Sequence, residues 1–245
     1  MKAILLGATR GMGRATARAL AARGDRLFLM GRDADDLARS ARDLEARGAP
    51  SPVGTALCDL LDPNGFEAAL DAADAALDGF DTAILSAGLF GTQEDLETDT
   101  ALRRRMLAAN FTGSVEWCEA VRRRLLARGG GTLCVFSSVA GDRGRKPVAL
   151  YGATKAGLSH YLESRDHEGR ARGLRVVTVK PGFVHTDMTA GLPAPPFAGH
   201  PDAVAKRVVR ALDRGTPVVY APGIWRAVMA TIRLLPRALM RRIAF

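Results

Sequence analysis

Cysteine is scarce in this 245-residue chain: Cys58, Cys118 and Cys134 are its only three, far apart and never in a C-x-x-C pair. That excludes a disulfide-stapled scaffold and a thiolate metal framework, and predicts reduced core residues in a cytoplasmic protein. Long apolar runs are lacking too. None approaches the roughly 20 residues that span a bilayer. No secretory leader is expected, because Met1 runs straight into the short apolar stretch Ala3-Ile4-Leu5-Leu6 and then into glycine. There is no internal repeat and no low-complexity block. The formal charge is +9, yet no basic–aromatic alternation accompanies it, so nucleic acid is not an expected partner. Arginine greatly outnumbers lysine and is spread along the chain, as on a solvated surface.

What is present is ordinary soluble composition, 47% apolar and 25% charged, at a length that suits one large α/β domain. Short apolar segments at 2–6, 26–30, 53–58, 82–86, 132–137, 175–180 and 218–220 read as strands. Helical patterns fill 13–23, 34–47, 63–77, 94–128, 151–172 and 201–214, with 94–128 as one long helical region. Strands apolar on both faces belong in a parallel sheet covered by helices on each side. The repeated β-α-β order predicts a single-domain, Rossmann-like doubly wound sheet, with ligands at the carboxyl ends of the strands. The domain is expected over 1–220, with 221–245 as its C-terminal extension. The one linker-like stretch, 191–202, is too short to divide it and reads as a mobile loop.

Chemistry gathers at those strand ends. After the first strand comes Gly7-Ala8-Thr9-Arg10-Gly11-Met12-Gly13, and then a helix. Glycines let a backbone approach a phosphate closely, and a helix start offers free N–H groups. The second strand ends Met30-Gly31-Arg32. An acid here would accept from a ribose 2′-hydroxyl; Gly31 with Arg32 and Arg10 instead suits a 2′-phosphate. Asp59-Leu60 follows the third strand, although a strand-end Asp is as often a helix cap. Ser86-Ala87-Gly88 follows the fourth. Tyr151 and Lys155 stand four apart, on one helix face. Ser138 lies thirteen residues earlier, and Asn110 sits in Asn110-Phe111-Thr112-Gly113. Strand alternation points Ser137 and Ser138 oppositely, and the spacing to Tyr151 favours Ser138. Pro181-Gly182-Phe183-Val184-His185-Thr186 follows the sixth strand.

The G-x-x-x-G-x-G turn and the Asn, Ser, Tyr, Lys set, in this order and spacing, resemble the short-chain dehydrogenase/reductase family from Ala3 to about Met188. Leu6 replaces the family's usual Thr, and Ser86 the usual Asn. The resemblance implies NADP held by Gly7, Thr9, Arg10, Gly11, Met12, Gly13, Arg32, Asp59, Leu60, Ser86, Ala87, Gly88, Tyr151, Lys155, Pro181, Gly182, Val184 and Thr186. It implies Tyr151 as proton donor and acceptor, with its pKa lowered by Lys155 and the cofactor. Ser138 would bind the substrate oxygen, and Asn110 would position Lys155 through a water. Thr186 would meet the carboxamide. His185 reads as a loop residue, and His160, His167 and His200 as surface residues. No metal is expected.

The substrate is expected to be a hydrophobic carbonyl or alcohol. Phe183, Val184, Met188, Leu192 and Phe197 are candidates for lining its pocket, or for simply packing the loop. The extension carries Arg226, Arg233, Arg237, Arg241 and Arg242 with no acid, and Pro236 interrupts any helix there. Such a segment can lie on a membrane surface, cover a substrate channel or form a subunit contact. Residues 137–157 and the tail are also similar to one group, the keto-reductase subunits of decaprenylphosphoryl-ribose epimerases, which implies a lipid-linked keto sugar. A non-catalytic NADP-binding regulator on the same fold stays open, as does a sugar-nucleotide epimerase, against which the length and glycine spacing argue. Family members pair through the helices around Asn110 and Tyr151, so a homodimer or homotetramer is expected.

Overall fold

A computed structural model describes residues 1–243 of the chain. Seven parallel strands form one sheet: β1 (Lys2–Leu6), β2 (Arg26–Gly31), β3 (Gly54–Leu57), β4 (Thr82–Leu85), β5 (Gly131–Phe136), β6 (Leu174–Pro181) and β7 (Val218–Ala221). The spatial order is β3-β2-β1-β4-β5-β6-β7. The order reverses between β1 and β4, which opens a crevice at their carboxyl ends.

The alternation of each strand divides its apolar residues between two cores. From β1, Ile4 and Leu6 join a core with Phe28, Leu85, Val135 and Val176. Helices α3 (Phe66–Leu77), α6 (Ser114–Ala127) and α7 (Ala149–Gly169) close it with Leu70, Trp117 and Leu158. Ala3 and Leu5 face the other way, with Leu27, Ile84, Cys134 and Val177. There α1 (Gly11–Ala21), α2 (Ala34–Ala46) and α8 (Pro201–Arg214) supply Leu20, Leu37 and Val208. Cys58, Cys118 and Cys134 are free and buried. Burial pushes the Cys58 thiol up to about 12.

The long helix expected over 94–128 is broken. It consists of α4 (Gln93–Thr98), α5 (Thr100–Leu107), a π-helical turn at Ala108–Gly113, and α6. The break has a local cause. Asp99 adopts an extended backbone and its carboxylate accepts from the Leu102 N–H, so it caps a new helix.

The extension folds back as α9 (Trp225–Leu234) and α10 (Arg237–Arg242), interrupted at Pro236 as expected. Trp225, Met229 and Ile232 form a small core with Val139. No helix among the described residues is long and apolar enough to cross a membrane.

Candidate active site

The turn between β1 and α1 is built around glycine necessity. Gly7 has φ +97°, and a Cβ on it would lie 2.5 Å from the Ala87 nitrogen. A Cβ on Gly13 would lie 2.2 Å from the Gly7 oxygen and 2.3 Å from the Ser86 hydroxyl. Ser86 donates to the carbonyls of Leu6 and Gly7, so it ties β4 to this turn.

The start of α1 differs from those of α2, α4 and α5. Carboxylates of Asp33 and Asp99 cap α2 and α5, and the Thr92 hydroxyl caps α4. By contrast α1 has no side-chain cap and no acid in its first turn. Its leading N–H groups and the positive end of its dipole therefore face an open cleft. That cleft holds about 280 Å³. Thirteen of the expected cofactor residues line it: Gly7, Thr9, Arg10, Gly11, Met12, Gly13, Arg32, Asp59, Leu60, Ser86, Ala87, Gly88 and Thr186. An uncapped helix start with a glycine floor fits a phosphate, so the residues present fit a dinucleotide.

Two features of this end were missed from the sequence. Asp36 bonds Arg10 at 3.1 Å and also holds Arg39. The side-chain bonds from Arg39 and Arg10 hold its carboxyl below the usual range. Asp36 stands four residues past Arg32 in the first turn of α2, and that spacing is the signal that marks it. Asp187 and Met188 also line the cleft, because Thr186 packs on Gly11. Asp59 lines the cleft and caps no helix: its carboxylate accepts from the Leu61 N–H in a local turn, and Asp62 precedes the short helix that follows.

Pro181, Gly182 and Val184 lie behind the cleft rather than on its wall. The Val184 side chain is in the core, which removes it from the expected apolar pocket as well. Gly182 leaves room for Trp225, whose Nε1 would lie 2.1 Å from a Cβ there. Met188 and Phe197 are exposed, and Phe183 packs edge-on against His185.

Ser138 and Tyr151 meet beyond the end of β5. The Ser138 hydroxyl accepts from the Ala140 N–H at 3.1 Å, donates to the Pro181 carbonyl at 3.4 Å, and is near enough to the Tyr151 phenol to act on its pKa. Ser137 points the other way, to the Lys155 carbonyl and the Ser159 hydroxyl. One turn along α7, the Lys155 ammonium lies 5.8 Å from the Tyr151 ring centre and donates to the Phe136 carbonyl at 2.9 Å. Phe90, also missed, packs edge-on against the Tyr151 ring at 5.2 Å.

The Asn110 amide does not touch Lys155. Its Oδ1 accepts from the Leu89 N–H and its Nδ2 donates to the Leu89 carbonyl, both at 2.7 Å. The π turn places it so, with Gly88 between its Oδ1 and the Lys155 ammonium.

Burial pushes the Tyr151 phenol up to about 12, and the Ser138 hydroxyl only partly opposes this. Burial lowers Lys155 to about 8. The expected lowering of Tyr151 is thus reversed in the protein alone, because desolvation of the phenolate outweighs its neighbours. Among the described residues no cluster could hold a metal ion.

Residues 1–195 match the family model described as short chain dehydrogenase. An uncharacterized oxidoreductase in the mprA 5′ region of Streptomyces coelicolor is 37% identical, over 98% of this chain and 94% of its own length. The cis-4-hydroxycyclohexanecarboxylate dehydrogenase of Sinomonas cyclohexanicum is 33% identical, over 78% of this chain and 76% of its own. A short-chain type dehydrogenase/reductase structure from Mycobacterium ulcerans superposes with a TM-score of 0.80 at 24% identity, covering 89% of this chain and 86% of that one. That last likeness shows the fold; with the sequence matches, it follows that the chain is an oxidoreductase belonging to the short-chain dehydrogenase/reductase family.

Proposed function

We propose that this protein interconverts a carbonyl and an alcohol with NADP(H), and that Tyr151 moves the proton. The observation that carries the reading is the meeting of Ser138 with Tyr151, one helical turn from a buried Lys155. A bound nicotinamide would supply or accept the hydride. Toward reduction, Tyr151 gives its proton to the carbonyl oxygen, and a phenol held up near 12 is fully protonated for that task. Ser138 donates to the same oxygen and fixes its position. Lys155 holds the ribose side of the cofactor and offers positive charge to the phenolate left behind. Asn110 positions the Gly88–Leu89 backbone against which Lys155 sits.

The preference for NADP over NAD rests on Gly31, where no carboxylate can accept from a ribose hydroxyl. It rests equally on the guanidinium groups of Arg32 and Arg10 at the cleft wall. Asp36 holds Arg10 at the mouth of the cleft. The substrate is a small, largely apolar alcohol or ketone, and the Sinomonas relative is named for alcohol dehydrogenation. The acid-free tail favours one alternative within this chemistry, a keto sugar carried on a lipid. Exposed Leu107 and Phe111, beside Asn110, suit burial between two copies of the chain.

The decisive test is Tyr151→Phe. Turnover of any active ketone should fall at least about a thousandfold while NADPH binding, read by fluorescence, is retained. Near-normal turnover removes Tyr151 from the mechanism. Wild-type kcat/KM with NADPH should exceed that with NADH, and equal values would remove the NADP reading.

A further inference from the structure

The excess positive charge is not spread evenly. Residues 143–150 and 221–245 together carry eight cations and no acid. Elsewhere many arginines are matched with carboxylates, and Arg124 alone bonds Glu67, Asp71 and Asp74. Among the described residues none of Arg143, Lys146, Arg237 and Arg241 forms an ion pair with a carboxylate.

These four converge. With Arg145 they line a cavity of about 560 Å³ between the loop after Ser138, the face of α7 next to Tyr151, and α10. Asp142, close enough for its charge to act on Arg145, is itself bound by Lys180 and Tyr220. The cavity walls are tied by neutral acceptors: Arg143 donates to the Leu235 carbonyl and Lys146 to the Arg241 carbonyl. Each tie engages a single N–H, and the donors that remain belong to cations. The rest of the lining is largely apolar: Ala140, Val148, Ala149, Ala153, Ala156 and Met240.

Cations held this close repel one another unless an anion is shared between them. Guanidinium forks match phosphoryl oxygens in pairs, and several forks suit a dianion better than a lone carboxylate. A bare phosphate would leave the alanine wall untouched. We infer that this cavity is a second anion site, apart from the cleft at α1, and that it binds a phosphate monoester with an apolar body. The inference stands on charge and cavity, independently of the proposed reaction.

The probe is hexyl phosphate, titrated calorimetrically into the full chain at constant ionic strength. It should bind one to one in the wild type, and equally well in an R10A/R32A variant whose other phosphate cleft is disarmed. In R237Q/R241Q affinity should fall at least tenfold. Ala153→Trp fills the cavity from α7 without touching a charge, and should abolish binding even if the first variant disturbs α10. Inorganic phosphate should bind more weakly, since each buried methylene contributes about fourfold. Phosphatidylglycerol vesicles distinguish the source. Association lost in R237Q/R241Q assigns the phosphate to a bilayer headgroup; binding of hexyl phosphate without association assigns it to a free ester. Unchanged affinity in both R237Q/R241Q and Ala153→Trp, or loss of binding in R10A/R32A, would overturn the inference.

Discussion

A lysine buried without a carboxylate is a pH sensor by position. Lys155 donates to a neutral carbonyl, and burial lowers it from 10.5 to about 8. The sign follows directly: the charged form is present below pH 8 and is lost as pH rises through it. Tyr151 stays protonated until about 12, so the phenol is not the group that titrates first. Carbonyl reduction should therefore be flat near neutrality and decline above about pH 8, with KM for the cofactor rising. A pH–rate profile whose alkaline limb begins only near 10.5 would mean that Lys155 keeps its ordinary value. Gly13 makes a second, steric prediction. An alanine there drives its methyl into the Gly7 carbonyl and the Ser86 hydroxyl, and neither can retreat without moving the turn. Gly13→Ala should cost about 1–3 kcal/mol. At roughly 2–4 °C per kcal/mol for a chain of this size, a thermal melt reads it easily.

Whole elements were legible where hydrophobic pattern decides structure. The run Ala3-Ile4-Leu5-Leu6 is apolar at every position because both faces of β1 are covered, and its limits agree with the pattern. The pattern of 201–214 likewise shows one apolar side and begins at a proline, and α8 has those limits. What pattern does not encode is how separate elements meet. Ala108–Gly113 carries no local signature of a π turn, yet that turn aims the Asn110 amide at Leu89. Phe90 could not be placed against Tyr151 because their contact spans sixty residues of chain. Gly182 read as part of a cofactor motif, whereas its missing Cβ makes space for Trp225. The break at Asp99 was readable in principle, since an acid precedes a fresh helical turn; a continuous polar pattern hid it. Its contribution is testable: Asp99→Ala removes the cap of α5 and should cost about 1 kcal/mol. The loss would appear as a small drop in melting temperature. An unchanged melt would mean that α5 is held by packing alone.

At the scale of the molecule, acids are the minority and are placed where they count. Glu119 on α6 accepts from Arg122 on its own helix and from Tyr161 on α7, so it joins two helices of one core face. Burial alone would raise its pKa, but the bonds from Arg122 and Tyr161 prevail and hold it below the usual range. Glu67 is lowered chiefly by Arg124, which links α3 to α6. A carboxyl whose folded pKa is lowered stabilises the fold above its unfolded value, about 4.3 for glutamate, and loses that contribution as pH falls through the folded value. Protonation also adds to a formal charge already at +9, so self-repulsion rises over the same interval. Stability should then be nearly level from neutrality to about pH 5 and fall steeply below it. Glu119→Gln isolates one contributor. Its amide oxygen can still accept from Tyr161, while the charge that bonds Arg122 is gone. The pair is partly solvated, so the loss at pH 7 should be modest, about 1 kcal/mol. As pH falls through the lowered folded value the wild-type carboxyl is neutralised, and the urea midpoints of wild type and variant should converge. A gap that stays undiminished throughout an acid titration would show that the Gln side chain is misfitted there and that charge is not what Glu119 contributes.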